Sequence, residues 1–294
     1  MRRMKGAAGL LTALLLAFQL SAQTFALANE DNGIKVVPVN FTHNGYSYEI
    51  EGVVKSTDGD YLIKSPARLA ARKLPSTHDP RSSGEITTVK DQASTGACWA
   101  FSALACAEQD LIKKGLENPS AEFSVPALVL SSNSGTATGK DDFSSGGNWL
   151  FAASALANGQ GLCYEDYEPF LESGTENMIV SENKKSVSEY RLNYVMELSS
   201  TTQVKRKIME LGAVSASYFA GNGYMNHNNT AYYDPDASKN TIINHSVTVV
   251  GWDDNYSKDN FRYKPANNGA WLVKGSWGAD QDNDGFYWVA SDEA

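Results

Sequence analysis

Two residues 147 positions apart carry the chemistry available to this sequence, Cys98 and His245. Cys98 stands in the run Gln92-Ala93-Ser94-Thr95-Gly96-Ala97-Cys98-Trp99-Ala100-Phe101-Ser102. A thiolate attacks carbonyl carbon well, but near neutral pH it forms only beside a base or a cation. After Cys98, the apolar residues Phe101, Leu104, Ala105, Leu111 and Ile112 recur at helical spacing and predict a helix ending near Gly115. Cys98 then opens that helix, where free backbone N–H groups favour negative charge. Gln92, six residues earlier, carries an amide able to donate to the oxyanion of a tetrahedral intermediate.

The base must come from elsewhere in the chain. Of the four histidines, His43, His78, His227 and His245, only His245 lies in a strand-like run, Ile242 to Trp252. An imidazole placed there against the thiol would accept its proton, and the two resulting charges would stabilise each other. His227 sits in the polar loop Asn226-His227-Asn228-Asn229, while His43 and His78 belong to an N-terminal extension and the loop after it.

The elements that must position this pair follow from periodicity. Residues 33–62 alternate apolar and polar positions and predict short strands. A second short helix is expected between Ser120 and Leu130, starting near Pro126 or breaking there. Gly135 to Ser145 is polar and loop-like. Gly146-Gly147-Asn148 then leads into a predicted helix from Trp149 to Asn158, with Leu150, Ala153 and Leu156 inward. Val204, Ile208 and Leu211 form one stripe of a helix from Thr201 to Leu211. Strands are predicted after it, at Gly212–Tyr218, Thr230–Tyr233, Ile242–Gly251, Gly269–Lys274 and Gly285–Ala290.

The run from Gln92 to Ser102 resembles the active-site segment of papain-like cysteine peptidases (peptidase family C1), which reads Gln-x5-Cys-Trp-Ala-Phe-Ser. Asn244-His245-Ser246-Val247 through Gly251 resembles the stretch that carries the family's catalytic base. Leu74-Pro75-Ser76-Thr77-His78-Asp79-Pro80-Arg81 resembles the start of its mature domains, so the resemblance spans roughly residues 74–290. It implies an α+β, papain-like two-lobed fold, with a helical N-terminal lobe, a β-rich, barrel-like C-terminal lobe and the active site in the cleft between them. It implies a cysteine endopeptidase of a bacterial secreted or cell-surface type, with Cys98 as nucleophile, His245 as base, and Gln92 with the Cys98 N–H as oxyanion donors. Gly146 and Gly147 would line the substrate cleft, and the Trp277 indole would shield the site. Such chemistry takes protein or peptide substrates and calls for no cofactor or metal.

One position departs from the pattern. The family usually has Lys-Asn-Ser-Trp-Gly, whose asparagine oxygen accepts the histidine N–H and fixes the ring. Here the run is Lys274-Gly275-Ser276-Trp277-Gly278, and Gly275 has no side chain to offer. The resemblance therefore leaves two readings, an active peptidase and a catalytically impaired relative that binds peptides or surface proteins. The cysteine three residues before the nucleophile in many relatives is Thr95 here. Cys106 and Cys163 remain, either as a pair or as packing residues.

With 294 residues, 42% of them apolar, the chain is long enough for one large domain or two packed lobes. Arg2, Arg3 and Lys5 precede an apolar run from Ala7 to Leu20, and Ala26-Leu27-Ala28 offers a small-residue cleavage site, the pattern of a secretory leader over residues 1–28. Residues 29–73 then read as a short prosegment or N-terminal extension, and 74–294 as the peptidase domain, with an end at Ala294 that falls short of the usual family length. Losing the leader takes the net charge from −9 to −12. So acidic a chain is a poor partner for nucleic acid or an anionic membrane, and no segment after the leader is long and apolar enough to span a bilayer. Asp280-Gln281-Asp282-Asn283-Asp284-Gly285 matches half of a calcium loop, but Ser291 stands where the closing glutamate belongs, so a polar hairpin turn is expected.

Overall fold

The computed structural model describes residues 15–22, 34–43, 46–56, 73–132, 143, 146–157, 162–167, 169–170, 190–198, 200–237, 243–280 and 282–293. The leader cleavage site Ala26–Ala28, Arg68 and Arg72, and nearly all of the loop from Gly135 to Ser145 lie outside the described residues. In chain order the strands and α-helices are β1 (Leu15–Ala22), β2 (Ile34–His43), β3 (Tyr46–Ser56), β4 (Thr77–His78), α1 (Cys98–Lys113), α2 (Val125–Ser132), α3 (Trp149–Ala157), β5 (Tyr190–Leu198), α4 (Thr201–Leu211), β6 (Val214–Tyr218), β7 (Ala231–Tyr232), β8 (His245–Asp253), β9 (Ala270–Lys274) and β10 (Phe286–Ala290). From Cys98 onward the helices α1 to α3 come first and strands dominate after residue 212, as expected for a two-lobed α+β chain.

The main sheet runs in the order β5-β1-β6-β8-β9-β10-β7, with β4 also paired to β8. Neighbouring strands from β6 through β8 and β9 to β10 are antiparallel, and among the described residues only the β10–β7 pair is parallel. Every described residue of β8 from His245 to Trp252 is buried, because both faces are covered. β1 falls in the segment read as a leader and pairs with β5, while β2 and β3 form a separate hairpin over the expected strand region. No helix among the described residues is long and apolar enough to cross a membrane.

α1 opens at Cys98 and ends at Lys113, with Gly115 at φ +67° in the left-handed region that closes helices. The sequence spacing suggests one inward stripe, but the structure buries α1 on all sides from Trp99 to Leu111. It is the axle of the molecule, touching α2, α3 and α4 as well as β6 and β8. Glu108 is therefore buried and must be matched, which Thr87 Oγ1 (2.8 Å) and the Phe123 N–H (3.1 Å) accomplish by donating to its carboxylate. α2 begins at Val125 with Pro126 in its first turn, where proline costs no helical hydrogen bond. On α3 the buried face is Phe151, Ala152, Ala155 and Leu156, together with Ala153, whereas Leu150, expected inward, turns to the cleft.

Two apolar cores result. One gathers the helices around Phe101, Leu104, Leu111, Phe123 and Leu156, and the other packs α4 on the sheet through Val204, Ile208, Val249, Trp252 and Trp271. Behind the cleft the lobes are tied by buried charge. Lys274 of β9 donates to Thr87 (2.5 Å) and lies 4.0 Å from Glu108 of α1, and Lys90 reaches Glu108 (3.6 Å) and Glu165 (3.2 Å).

Candidate active site

Cys98 and His245 face the same cleft, one from the head of α1 and one from the head of β8. Ser102, one turn past Cys98 on the same helix face, donates to the Val247 carbonyl (2.7 Å) and shares a hydrogen bond with Ser215 (2.7 Å). Val247 lies two residues past His245, on the same face of β8. The Ser102 contact therefore repeats, one step deeper, the approach of Cys98 to the head of β8. The Ser246 N–H and hydroxyl both reach the Cys98 sulfur.

Cys98, His245, Gln92, Gly146, Gly147 and Trp277 all line one open cleft of about 1070 Å³, with Asn148, Leu150, Ser217, Tyr218 and Asn244 also on its walls. That volume suits several residues of an extended peptide better than one small metabolite. Ala97 precedes α1 without a side-chain cap and its carbonyl takes the Ala100 N–H (2.8 Å), so the Cys98 and Trp99 N–H groups are the ones that act on the sulfur. Burial nevertheless pushes the Cys98 thiol above its ordinary pKa, against the pull of the Ser246, Trp99 and Cys98 N–H groups. Burial also pulls His245 down to about 4. Each group alone is driven neutral, and a charged pair forms only where each charge serves as the other's counter-ion.

Gln92 is buried and fixed at both ends of its amide. Its Nε2 donates to the Thr95 carbonyl (2.8 Å), and its Oε1 accepts from Ser276 Oγ (2.5 Å). The Gln92 backbone N–H donates to the Ser276 carbonyl (2.8 Å), and Asp91 bridges to Trp277. The loop before α1 is thus fastened to the loop after β9, one from each lobe. One N–H of the Gln92 amide is taken by Thr95, leaving the second for a ligand in the cleft.

Gly147 lies against the indole of Trp99. A Cβ at this position would fall 2.3 Å from Trp99 Nε1, so only glycine permits the contact. Trp277 stacks on His245, with ring centroids 5.3 Å apart and planes 22° from parallel, and is itself 44% exposed. It lies over the face of an imidazole that is itself only 6% exposed.

Gly275 is the expected gap. It does not line the cleft with the other site residues, and His245 Nε2 is buried with no hydrogen-bond partner among the described residues. A Cβ at Gly275 would meet the Gly285 carbonyl at 3.0 Å and Tyr287 Cε1 at 3.3 Å. Sequence reasoning missed Ser246, Ser276, Tyr218 and Tyr287. Ser246 and Ser276 each adjoin a flagged residue, a usable signal. The two tyrosines meet only through strand pairing that no local pattern encodes.

Cys106 and Cys163 are buried thiols not joined in a disulfide, so the packing reading holds and the pairing reading does not. His227 lies away from the cleft, and His78 pairs with Trp252 through β4 and β8. Asp282–Gly285 forms a tight turn into β10, with Asn283 and Asp284 in left-handed conformation and Asn283 Nδ2 donating to the Phe286 carbonyl.

A thiol at the N-terminus of a central helix, with an imidazole on a strand across an open cleft, defines the two-lobed cysteine–histidine class. The chain belongs to the papain family: the family model described as "Papain family cysteine protease" matches residues 74–294. Among curated proteins it is similar to human cathepsin L2, 26% identical over 75% of this chain and 62% of that protein, and to cat procathepsin L, 29% identical over 75% and 62%. It thus spans about three-fifths of the length of these relatives. Among solved structures, the cysteine protease and lectin-like domains of Cwp84, a surface layer associated protein of Clostridium difficile, match at 30% identity with a TM-score of 0.62, covering 76% of this chain and 49% of that one. Digestive procathepsin L2 of Tenebrio molitor matches at 25% identity and a TM-score of 0.58, covering 75% and 64%.

Proposed function

We propose that this chain is a secreted cysteine endopeptidase in which Cys98 and His245 form the catalytic pair. The observation that carries the reading is the convergence of a helix-opening thiol, a strand-opening imidazole and the anchored amide of Gln92 on one peptide-sized cleft. His245 takes the Cys98 proton, and the sulfur attacks the scissile carbonyl carbon. The oxyanion that forms accepts from the second Gln92 amide N–H and from the Cys98 backbone N–H. Collapse breaks the C–N bond, and the imidazolium gives its proton to the leaving amine. Water then attacks the thioester, His245 takes one of its protons, and the acid product leaves with the thiol restored.

Gly146 and Gly147 would pair with substrate main chain along the cleft. The leader pattern at residues 1–28 supports export, and residues 29–73 follow as a short prosegment or N-terminal extension. Cwp84 is surface layer associated, and association with a cell surface is proposed for this chain on that likeness. Protein or peptide substrates follow from the family.

His245 Nε2, without a partner among the described residues, and the glycine at 275 support a second reading, an impaired relative that holds peptides without cutting them. Alkylation by iodoacetamide separates the two. The first reading expects Cys98 to react near neutral pH much faster than a free thiol, with labelling lost in Cys98→Ala. In His245→Ala the reaction should move to alkaline pH, because burial then acts on the thiol without a counter-ion. A parent that labels no faster than free cysteine and cleaves no peptide would overturn the first reading.

A further inference from the structure

We infer that the tyrosine pair Tyr218–Tyr287 replaces the missing side chain at 275 as the device that positions His245. This inference rests on the proposed peptidase reading and deepens it. Tyr218 and His245 are direct partners across β6 and β8. The Tyr218 ring meets the imidazole edge to face, with centroids 6.0 Å apart and planes at 68°. Trp277 stacks on the same imidazole. The ring of His245 is therefore held by two aromatic contacts of different geometry, which restrict its tilt without a hydrogen bond to Nε2.

Tyr218 is itself restrained. Its hydroxyl shares a 3.0 Å hydrogen bond with the hydroxyl of Tyr287, and its ring packs edge to face on Tyr232 at 5.0 Å. Tyr232 is fixed in turn, because its hydroxyl donates to the Phe219 carbonyl (2.5 Å) and accepts from the Gly221 N–H (3.2 Å). Tyr287 is the link to the departure from the family pattern. Its Cε1 lies 3.3 Å from where a Cβ on residue 275 would sit. The space a side chain at 275 would enter is thus bounded by this phenol ring. A glycine at 275 and a tyrosine at 287 fit together, and an asparagine at 275 would press on the tyrosine.

Burial keeps the Tyr287 phenol protonated, and a thiolate at Cys98 would press its pKa further up. The Tyr287 hydroxyl therefore keeps its proton while it shares the bond with Tyr218. Tyr218 and Tyr287 are positioning residues, acting on substrate only through the imidazole.

The test is a set of variants assayed for peptide hydrolysis, Cys98 alkylation and thermal melting. Tyr218→Leu removes the ring edge and should lower kcat about tenfold while KM stays within about twofold, since a displaced base slows the chemical step more than binding. Tyr218→Phe keeps the edge and loses only the bond to Tyr287, so it should fall between Tyr218→Leu and the parent. The Tyr218→Phe/Tyr287→Phe double variant removes both hydroxyls together, leaves no orphaned polar group, and should melt near the parent with kcat still reduced. Gly275→Asn in the parent should bring no gain. The same change in Tyr287→Ala should recover activity over Tyr287→Ala alone. Parent-like kcat in Tyr218→Leu, or an equal effect of Gly275→Asn in both backgrounds, would overturn the inference while leaving the peptidase reading intact. A parent that neither cleaves peptide nor alkylates faster than a free thiol overturns both.

Discussion

The indole of Trp277 lies face to face on the imidazole of His245, 5.3 Å between centroids. Trp277 contributes little to the core, since 44% of it faces solvent, yet it closes the solvent side of a histidine that is 6% exposed. Stability and activity should therefore separate at this position.

Trp277→Ala should leave the melting temperature nearly unchanged. It should lower kcat roughly two- to tenfold, the rate equivalent of one lost aromatic pair. Water would also gain access to the imidazole and raise the His245 pKa from about 4 toward its ordinary value. Thermal melting and a pH profile of peptide hydrolysis check both effects. A large drop in melting temperature would mean that the indole is a structural residue instead.

Gly147 and Trp99 make a second pair whose fit can be tested. In Gly147→Ala the new Cβ overlaps the Trp99 indole at 2.3 Å, and overpacking of this kind costs about 1–3 kcal/mol. Trp99 adjoins Cys98, so the strain reaches the thiol as well. Gly147→Ala should melt lower and alkylate more slowly at Cys98, and Gly147→Ala/Trp99→Phe should recover part of both. Chemical denaturation with timed alkylation measures the two effects.

These two contacts mark how far the sequence could be read. The Cys98 helix, the His245 strand and α4 are legible because each is a local pattern, a periodic apolar stripe or a short chemical motif. The gap at Gly275 is legible for the same reason, as a side chain absent from a run of five residues. What closes around that gap is not. Tyr218 faces His245 only because β6 pairs with β8, and Tyr287 bounds the space at Gly275 only because β10 crosses beside β9. Strand register across about seventy intervening residues, from Tyr218 to Tyr287, is a tertiary fact with no local signature. The full burial of α1 escaped for a similar reason. Glu108 is covered by Thr87, Phe123, Lys90 and Lys274, which meet it only in the fold.

Lys274 extends the argument to pH. Burial holds its ammonium pKa down at about 8, with Glu108 opposing that shift. The ordinary lysine value is 10.5, so between pH 8 and 10.5 the unfolded chain binds more protons than the folded one. Stability contributed by this group therefore rises with pH across that window and is flat below it. Lys274→Met should remove that rise, a difference on the order of 2–4 kcal/mol between the two pH profiles. Glu108 keeps its bonds from Thr87 and Phe123 and its pairing with Lys90, so the variant should still fold. Urea denaturation of parent and variant at several pH values gives the comparison. Parallel profiles would show that Lys274 stays charged in the folded protein throughout.

Gln92 carries two duties, and a paired substitution separates them. As an oxyanion donor its amide acts on the transition state, so Gln92→Ala should lower kcat by about a hundredfold or more with KM little changed. As an anchor it accepts from the buried Ser276 hydroxyl (2.5 Å), and removing it orphans that hydroxyl at a cost of about 1–3 kcal/mol. Ser276→Ala breaks the same anchor but leaves the amide in place. It should cost some stability and only a few-fold in kcat, because Thr95 still orients the amide through its carbonyl. Equal kcat losses in the two variants would place the whole effect of Gln92 in holding the loop before α1 to the loop after β9. A loss confined to Gln92→Ala, with melting temperatures alike, would place it at the oxyanion.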